Sequence, residues 1–217
     1  MTEAAPFRPR GIRPRDAASL VLVDDRGDEP RILMGRRHAR MSFIPDAFVF
    51  PGGKLDPDDF LAKPATELGL PTSFGPKSRA LAMAAIRETF EETGLILASA
   101  GDVGATSGPG WAHFRAQGLA PQLDLLSALA RAITPAGSPM RFHARFFTAS
   151  ASTLQGTLAG SGELEDLDWY PLPEALKLPI IDVTEFVLHE VGRRAAGDMP
   201  ARIPLFSYRN GRPLARS

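Results

Sequence analysis

Apolar and polar residues recur along this chain with two different periods, and the switches between them mark its elements. Ala17–Asp25, "AASLVLVDD", is an apolar run that stops at the turn-rich "DRGDEP", and "RILMGRR" follows over Arg31–Arg37. The two runs read as strands joined by a short loop. "AFVFPGG" (Ala47–Gly53) reads as a short strand ending in a proline and two glycines. From Lys54 to Ser78 no period is sustained and Pro and Gly recur, which predicts a long loop with at most one helical turn. Arg79–Gly94, "RALAMAAIRETFEETG", then takes the helical period. Its alanines and leucine favour a helix, Met83, Ile86 and Phe90 form an apolar stripe, and Gly94 suits the C-terminal cap.

Beyond the glycine-rich break "GDVGATSGPG" the pattern is less regular. "WAHFRAQG" and "QLDLLSALARAI" predict one or two helices, or a helix followed by a strand. "MRFHARFFTAS" (Met140–Ser150) alternates as a strand does, and "GELEDLDWYPL" carries another strand toward Trp169. "PLPEALKL" and "DVTEFVLHEVGRRAAG" read as helices, the second with Asp182 or Thr184 as N-cap. Residues 1–14 and 198–217 read as irregular tails around one α+β domain spanning 15–197.

Composition narrows the function classes. Twenty-five basic residues balance twenty-five acidic ones, so no global field draws the chain to nucleic acid or to an anionic membrane. Basic residues gather at the ends, in "RPRGIRPR" and "RNGRPLARS", where solvated tails are the expected reading and a phosphate-binding arm the alternative. The absence of cysteine excludes disulfides, thiolate metal sites and cysteine nucleophiles. No apolar run approaches the ~20 residues of a membrane-spanning helix. The N-terminus lacks a signal-peptide core, and a cytoplasmic location is expected.

The chemistry lies in "RETFEETGL". Glu88, Glu91 and Glu92 stand at i, i+3 and i+4, so one helical face carries all three. Like charges so placed cost an isolated helix a few tenths of a kcal/mol. No lysine or arginine follows at i+4 to offset them, while Arg87 stands directly before them. A solvated acidic face is the plain alternative. A cluster of hard carboxylate oxygens also suits Mg²⁺ or Mn²⁺, which would cancel the repulsion and be shared with substrate phosphates. The four histidines form no ligand spacing, and Trp111 and Trp169 read as core residues.

"FPGG…D…RETFEETGL" resembles the signature of the Nudix hydrolases. Arg87, Glu88, Glu91, Glu92, Gly94 and Leu95 match its second half, with Thr89 where an aliphatic residue is usual. Gly53, five residues and Asp59 fit the opening, with aspartate for glutamate. Asp59 and Arg87 then lie about twenty residues further apart than in the family, an insertion at about 60–78 that puts in question Asp59's place as the arginine's support. "ILMGRRHARMSFIPDAFVFPGGKLDPDD" looks like the branch that cleaves coenzyme A and acyl-CoA, and "ITPAGSPMRFHARFFTA" and "LDWYPLPEALK" resemble its later segments.

The resemblance implies an α/β/α sandwich with a mixed sheet, and hydrolysis of a diphosphate linkage by water. It implies Glu88, Glu91 and Glu92 as ligands of Mg²⁺ or Mn²⁺, with Glu88 also acting on the water. An acid outside the box would assist, Glu163 first, with Glu165 and Asp166 as alternatives. Gly52 and Gly53 would let the backbone approach the substrate, Arg36 or Arg37 would meet a phosphate, and Arg87 and Asp59 would support the site. The favoured substrate is coenzyme A or an acyl-CoA. ADP-ribose, a dinucleotide or a nucleotide sugar is the alternative, and a non-catalytic nucleotide-binding regulator the second. A small-molecule diphosphate is the expected partner, and a homodimer stays open.

Overall fold

The computed structural model describes residues 12–41, 44–69, 74–209 and 211–216. Most of the N-terminal tail, Phe43 of the run before "FPGG" and residues 70–73 of the inserted loop lie outside that set.

Along β1 (Arg15–Asp24), Ala18, Leu20 and Leu22 alternate with Val21, and the two sets enter different apolar clusters. That period of two, buried on both sides, makes β1 an interior strand of the sheet. It pairs parallel with β8 (Phe142–Ser150) and antiparallel with β2 (Arg31–Arg37) and β4 (Gly52–Lys54). The sheet is therefore mixed. β7 (Ser127–Ile133) lies beside β8, β3 (Phe48–Val49) beside β2, and β9 (Leu164–Pro171) pairs antiparallel with β2 through a register shift between Met34 and Arg36.

One face is covered by α2 (Ser78–Thr93), with Leu81, Met83 and Ile86 packed among Leu20, Leu22, Leu33 and Phe147. The other is covered by α5 (Asp182–Ala195), with Val187, Leu188 and Val191 against Val21, Met34 and Phe146. Full burial of each such side chain contributes about 1.5–3 kcal/mol. The result is the α/β/α sandwich implied by the resemblance.

Several local expectations change. A one-sided stripe on α2 is replaced by burial almost all round from Ala80 to Arg87. The reason is a further layer outside it: α1 (Asp58–Leu61), α3 (Ala112–Gln117), and a ribbon of β5 (Ala98–Ala100) with β6 (Leu119–Pro121). Of the two readings of "WAHFRAQG" and "QLDLLSALARAI", a helix followed by a strand is the one formed: α3, then a single 3₁₀ turn and β7. After α4 (Leu172–Ala175), the cap of α5 is Ile181, not Asp182 or Thr184. Asp182 is drawn instead to the hydroxyl of Tyr208, and Thr184 is buried.

The reading of 198–217 as an irregular tail is corrected. β10 (Leu205–Arg209) and β11 (Arg212–Arg216) form a hairpin, and β10 extends the main sheet by pairing parallel with β7. Buried Phe206 seats the hairpin against Phe186 of α5, with ring centroids 5.1 Å apart.

Candidate active site

Gly52 and Gly53 bring the start of β4 against the C-terminal half of α2. Gly52 has φ +156°, and a Cβ there would meet the carbonyl oxygen of Ala18 at 2.5 Å. A Cβ at Gly53 would land on the carboxylate of Glu88. Only glycine permits this approach. The N–H of Gly52 donates to Glu92 Oε2 at 2.8 Å, so the turn holds one glutamate by a hydrogen bond and touches another.

Arg87 organises the rest. Its Nε and Nη2 donate to the two oxygens of Asp59 at 2.8 and 3.0 Å, a bidentate pair with Asp59 fully buried. Nη1 donates to Glu88 Oε1 at 2.9 Å and Glu91 Oε2 at 3.1 Å, and Nη2 also reaches the carbonyl of Lys54 at 3.1 Å. The inserted residues thus leave Asp59 and Arg87 in contact. The chain doubles back through α1, whose Asp58 accepts from the backbone N–H groups of Ser107 and Gly108 at 2.9 and 2.5 Å.

Three carboxylates, of Asp59, Glu88 and Glu91, gather around one guanidinium, and a fourth, of Glu92, is held by the Gly52 N–H. Burial pushes the Glu92 carboxyl up to about 8; the Gly52 N–H and Arg37 act against this, and Glu88 and Glu163 add to it. Burial also raises Glu88 and Glu91, with Arg87 opposing in both. For Arg87 burial works against the charge, but the Asp59 hydrogen bonds and the charges of Glu88, Asp59 and Glu91 outweigh it and raise its pKa. The cluster is short of positive charge.

Among the described residues no three of these groups form a closed cage for a metal ion, because Glu88 and Glu91 are drawn to Arg87. The donor set nevertheless fits a hard divalent cation. Glu88 Oε2, Glu91 Oε1 and Glu92 Oε1 accept no hydrogen bond, and carboxylate oxygens are the ligands that Mg²⁺ and Mn²⁺ take.

The remaining predicted site residues separate into two groups. Glu163 is exposed, and its charge is felt at both Glu91 and Glu92. It stands there because residues 159–163 fold back over the end of α2, with Ala159 N donating to Thr93 O at 2.8 Å and His38 N to Glu163 O at 3.3 Å. Arg37 acts on Glu92, and its buried Nε has no hydrogen-bond partner among the described residues. Arg36 lies elsewhere in the charge map. It pairs with Asp46, Glu165 and Asp166 at 3.2, 2.9 and 2.8 Å, so a phosphate would compete there with three carboxylates. The same contacts take Glu165 and Asp166 away from the glutamate cluster.

Thr89, the departure from the aliphatic pattern, is buried with its hydroxyl donating to Ala85 O at 2.7 Å, which satisfies the polar atom inside the helix. Sequence reasoning missed Gly110, which packs on Arg87 and Glu91 so closely that a Cβ would strike both. The signal was the run "GDVGATSGPG", which reads as a loop without revealing what it covers.

Residues 13–186 match the NUDIX domain. The chain belongs to the Nudix family. A NUDIX hydrolase from Alicyclobacillus acidocaldarius superposes with a TM-score of 0.68 at 30% identity, over 82% of this chain and 90% of that one. A MutT NUDIX hydrolase from Burkholderia pseudomallei shares the Nudix fold at a TM-score of 0.51 and 20% identity, over 83% of this chain and 99% of that one. "Putative nudix hydrolase 7" of Caenorhabditis elegans is 27% identical over 166 residues, 71% of this chain and 50% of that protein. An acyl-coenzyme A diphosphatase of Xenopus laevis, NUDT19, is 34% identical over 94 residues, 30% of this chain and 25% of that protein. This Nudix chain spans half the length or less of these two curated relatives. No helix among its described residues is long and apolar enough to cross a membrane.

Proposed function

We propose that this Nudix protein hydrolyses a diphosphate linkage in a nucleoside diphosphate derivative, with Mg²⁺ or Mn²⁺ held by Glu88, Glu91 and Glu92. The observation that carries the reading is the crowding of those three carboxylates on one helix, short of positive charge, with Glu88 and Glu92 against the Gly52–Gly53 turn and Glu91 tied beside them through Arg87. A bound divalent cation supplies polarisation of a phosphoryl oxygen and a more acidic water.

The chain's own residues do the rest. Gly52 and Gly53 keep β-carbons out of the space before Glu88. Arg37 meets a phosphate oxygen, whereas Arg36 ties Asp46 to Glu165 and Asp166 at the start of β9. Glu88 or Glu163 takes a proton from water as its oxygen bonds to phosphorus, and the anhydride P–O bond breaks to release two phosphorylated products. Arg87 and Asp59 fix Glu88 and Glu91 without touching substrate.

Coenzyme A or an acyl-CoA is the favoured substrate. The resemblance of the "FPGGKLDPDD" region and the partial match to the Xenopus acyl-CoA diphosphatase support it. A product-resolved assay of CoA, acyl-CoA, ADP-ribose, NADH and dinucleoside polyphosphates with Mg²⁺ and Mn²⁺ tests the choice. Turnover of ADP-ribose or NADH alone would reject the coenzyme A reading. Glu91→Gln with Glu92→Gln should reduce metal-dependent turnover at least ~10³-fold while the folded signal is kept; retained activity would reject the site.

A further inference from the structure

A second concave site begins one residue after the Gly52–Gly53 turn. It is a cleft of about 580 Å³ between the start of β1 and the loop that leads from β4 into α1. Four cations line it: Arg13, Arg15, Lys54 and Lys77. Asp16 lies among them but is already engaged by Lys77 Nζ at 2.7 Å and Arg145 Nη1 at 2.5 Å. Asp56 is the other acid on the wall. The side chains of Arg13, Arg15 and Lys54 have no carboxylate within ion-pair distance among the described residues. The cleft therefore holds surplus positive charge in a chain whose formal net charge is zero.

Its wall also carries Phe60, exposed at 48%, where the aromatic rings of the other described residues are largely packed away. Unpaired guanidinium and ammonium groups beside an open ring match a phosphorylated nucleoside: phosphate oxygens take the cations and the base takes the ring. Lys54 links the cleft to the site already described. Its side chain lines the cleft, and its carbonyl oxygen accepts from Arg87 Nη2 at 3.1 Å. One extended substrate can therefore reach both.

We propose that this cleft holds a phosphate group of the substrate other than the diphosphate that is cleaved, so that the enzyme selects nucleoside diphosphate derivatives carrying an additional phosphomonoester. The inference rests on diphosphate hydrolysis at Glu88, Glu91 and Glu92, and it identifies the substrate class as phosphorylated at a third position.

Two measurements test it. In calorimetric titrations without divalent cation, adenosine 3′,5′-bisphosphate should bind about tenfold more tightly than adenosine 5′-monophosphate. Arg13→Ala with Arg15→Ala should bring the two within about twofold, Arg212→Ala on the remote hairpin should leave the preference intact, and rising salt should erode it. Equal binding of the two nucleotides to the native chain, or a preference untouched by the double substitution, would overturn the proposal. In turnover assays with Mg²⁺, coenzyme A should exceed its dephospho form about tenfold in kcat/KM, and the double variant should lose that advantage while keeping its rate on the dephospho form. Bisphosphate selectivity without turnover of either would reject the coenzyme A reading and leave the cleft standing. Equal turnover of both without bisphosphate selectivity would reject the cleft and leave the hydrolase.

Discussion

Every N–H of Arg87 has an acceptor: two on Asp59, one each on Glu88, Glu91 and the Lys54 carbonyl. A lysine could not reproduce this, since its three donors cannot make a planar bidentate pair while reaching two further acids and a carbonyl. Neighbouring glutamates that look unsupported in the sequence are thus tied back to the residue just before them. The spacing made Glu88, Glu91 and Glu92 legible as one face; which of their oxygens stay free depends on where Arg87 points, and no period encodes that. Asp59→Ala leaves a buried guanidinium without its bidentate partner and should cost about 3–5 kcal/mol in denaturant unfolding, with m unchanged. A loss under 1 kcal/mol would mean the pair is not what holds this part of the site.

The readable elements were those whose own residues carry an apolar strand run or a helical period. The strands before "FPGG", the Met140–Ser150 strand and the α2 period all follow from alternation or helical spacing. The hairpin of β10 and β11 escaped because its strands carry little alternation of their own, with two arginines and a proline in β11. Its place is set by pairing with β7 and by Phe206, which tertiary contact supplies and local pattern does not. Phe206→Ala should therefore destabilise the fold by about 3–5 kcal/mol, read from the unfolding midpoint. A protein indistinguishable from the parent would show that the hairpin adds no core. The cover over α2 was hidden because Met83, Ile86 and Phe90 already read as a complete stripe, while the alanines around them signal helix propensity and not burial.

Across the whole molecule the balanced charge conceals a sharp division, with carboxylates crowded on one side of β4 and cations in the cleft beyond it. A separate ionisable group reports on the fold's response to acid. His143 is pushed down to about 4 by burial, then by the charges of Arg145 and Arg131, with Asp16 opposing. Between that value and the ordinary 6.5 an unfolded chain binds a proton that the folded chain refuses, so this histidine makes stability fall as pH drops through that window. The contribution is on the order of 1 kcal/mol after allowing for solvent at the half-buried ring. His143→Gln should flatten that part of the stability–pH curve, and an unchanged slope would reject the assignment.

The clasp between Asp59 and Arg87 has one more consequence, for how this enzyme type can diversify. Because the two residues grip each other directly, their contact does not depend on how many residues lie between them. Lengthening a closed loop costs only about 0.6 kcal/mol per doubling. Insertions there can thicken the layer outside α2 while Arg87 and its carboxylates keep their arrangement.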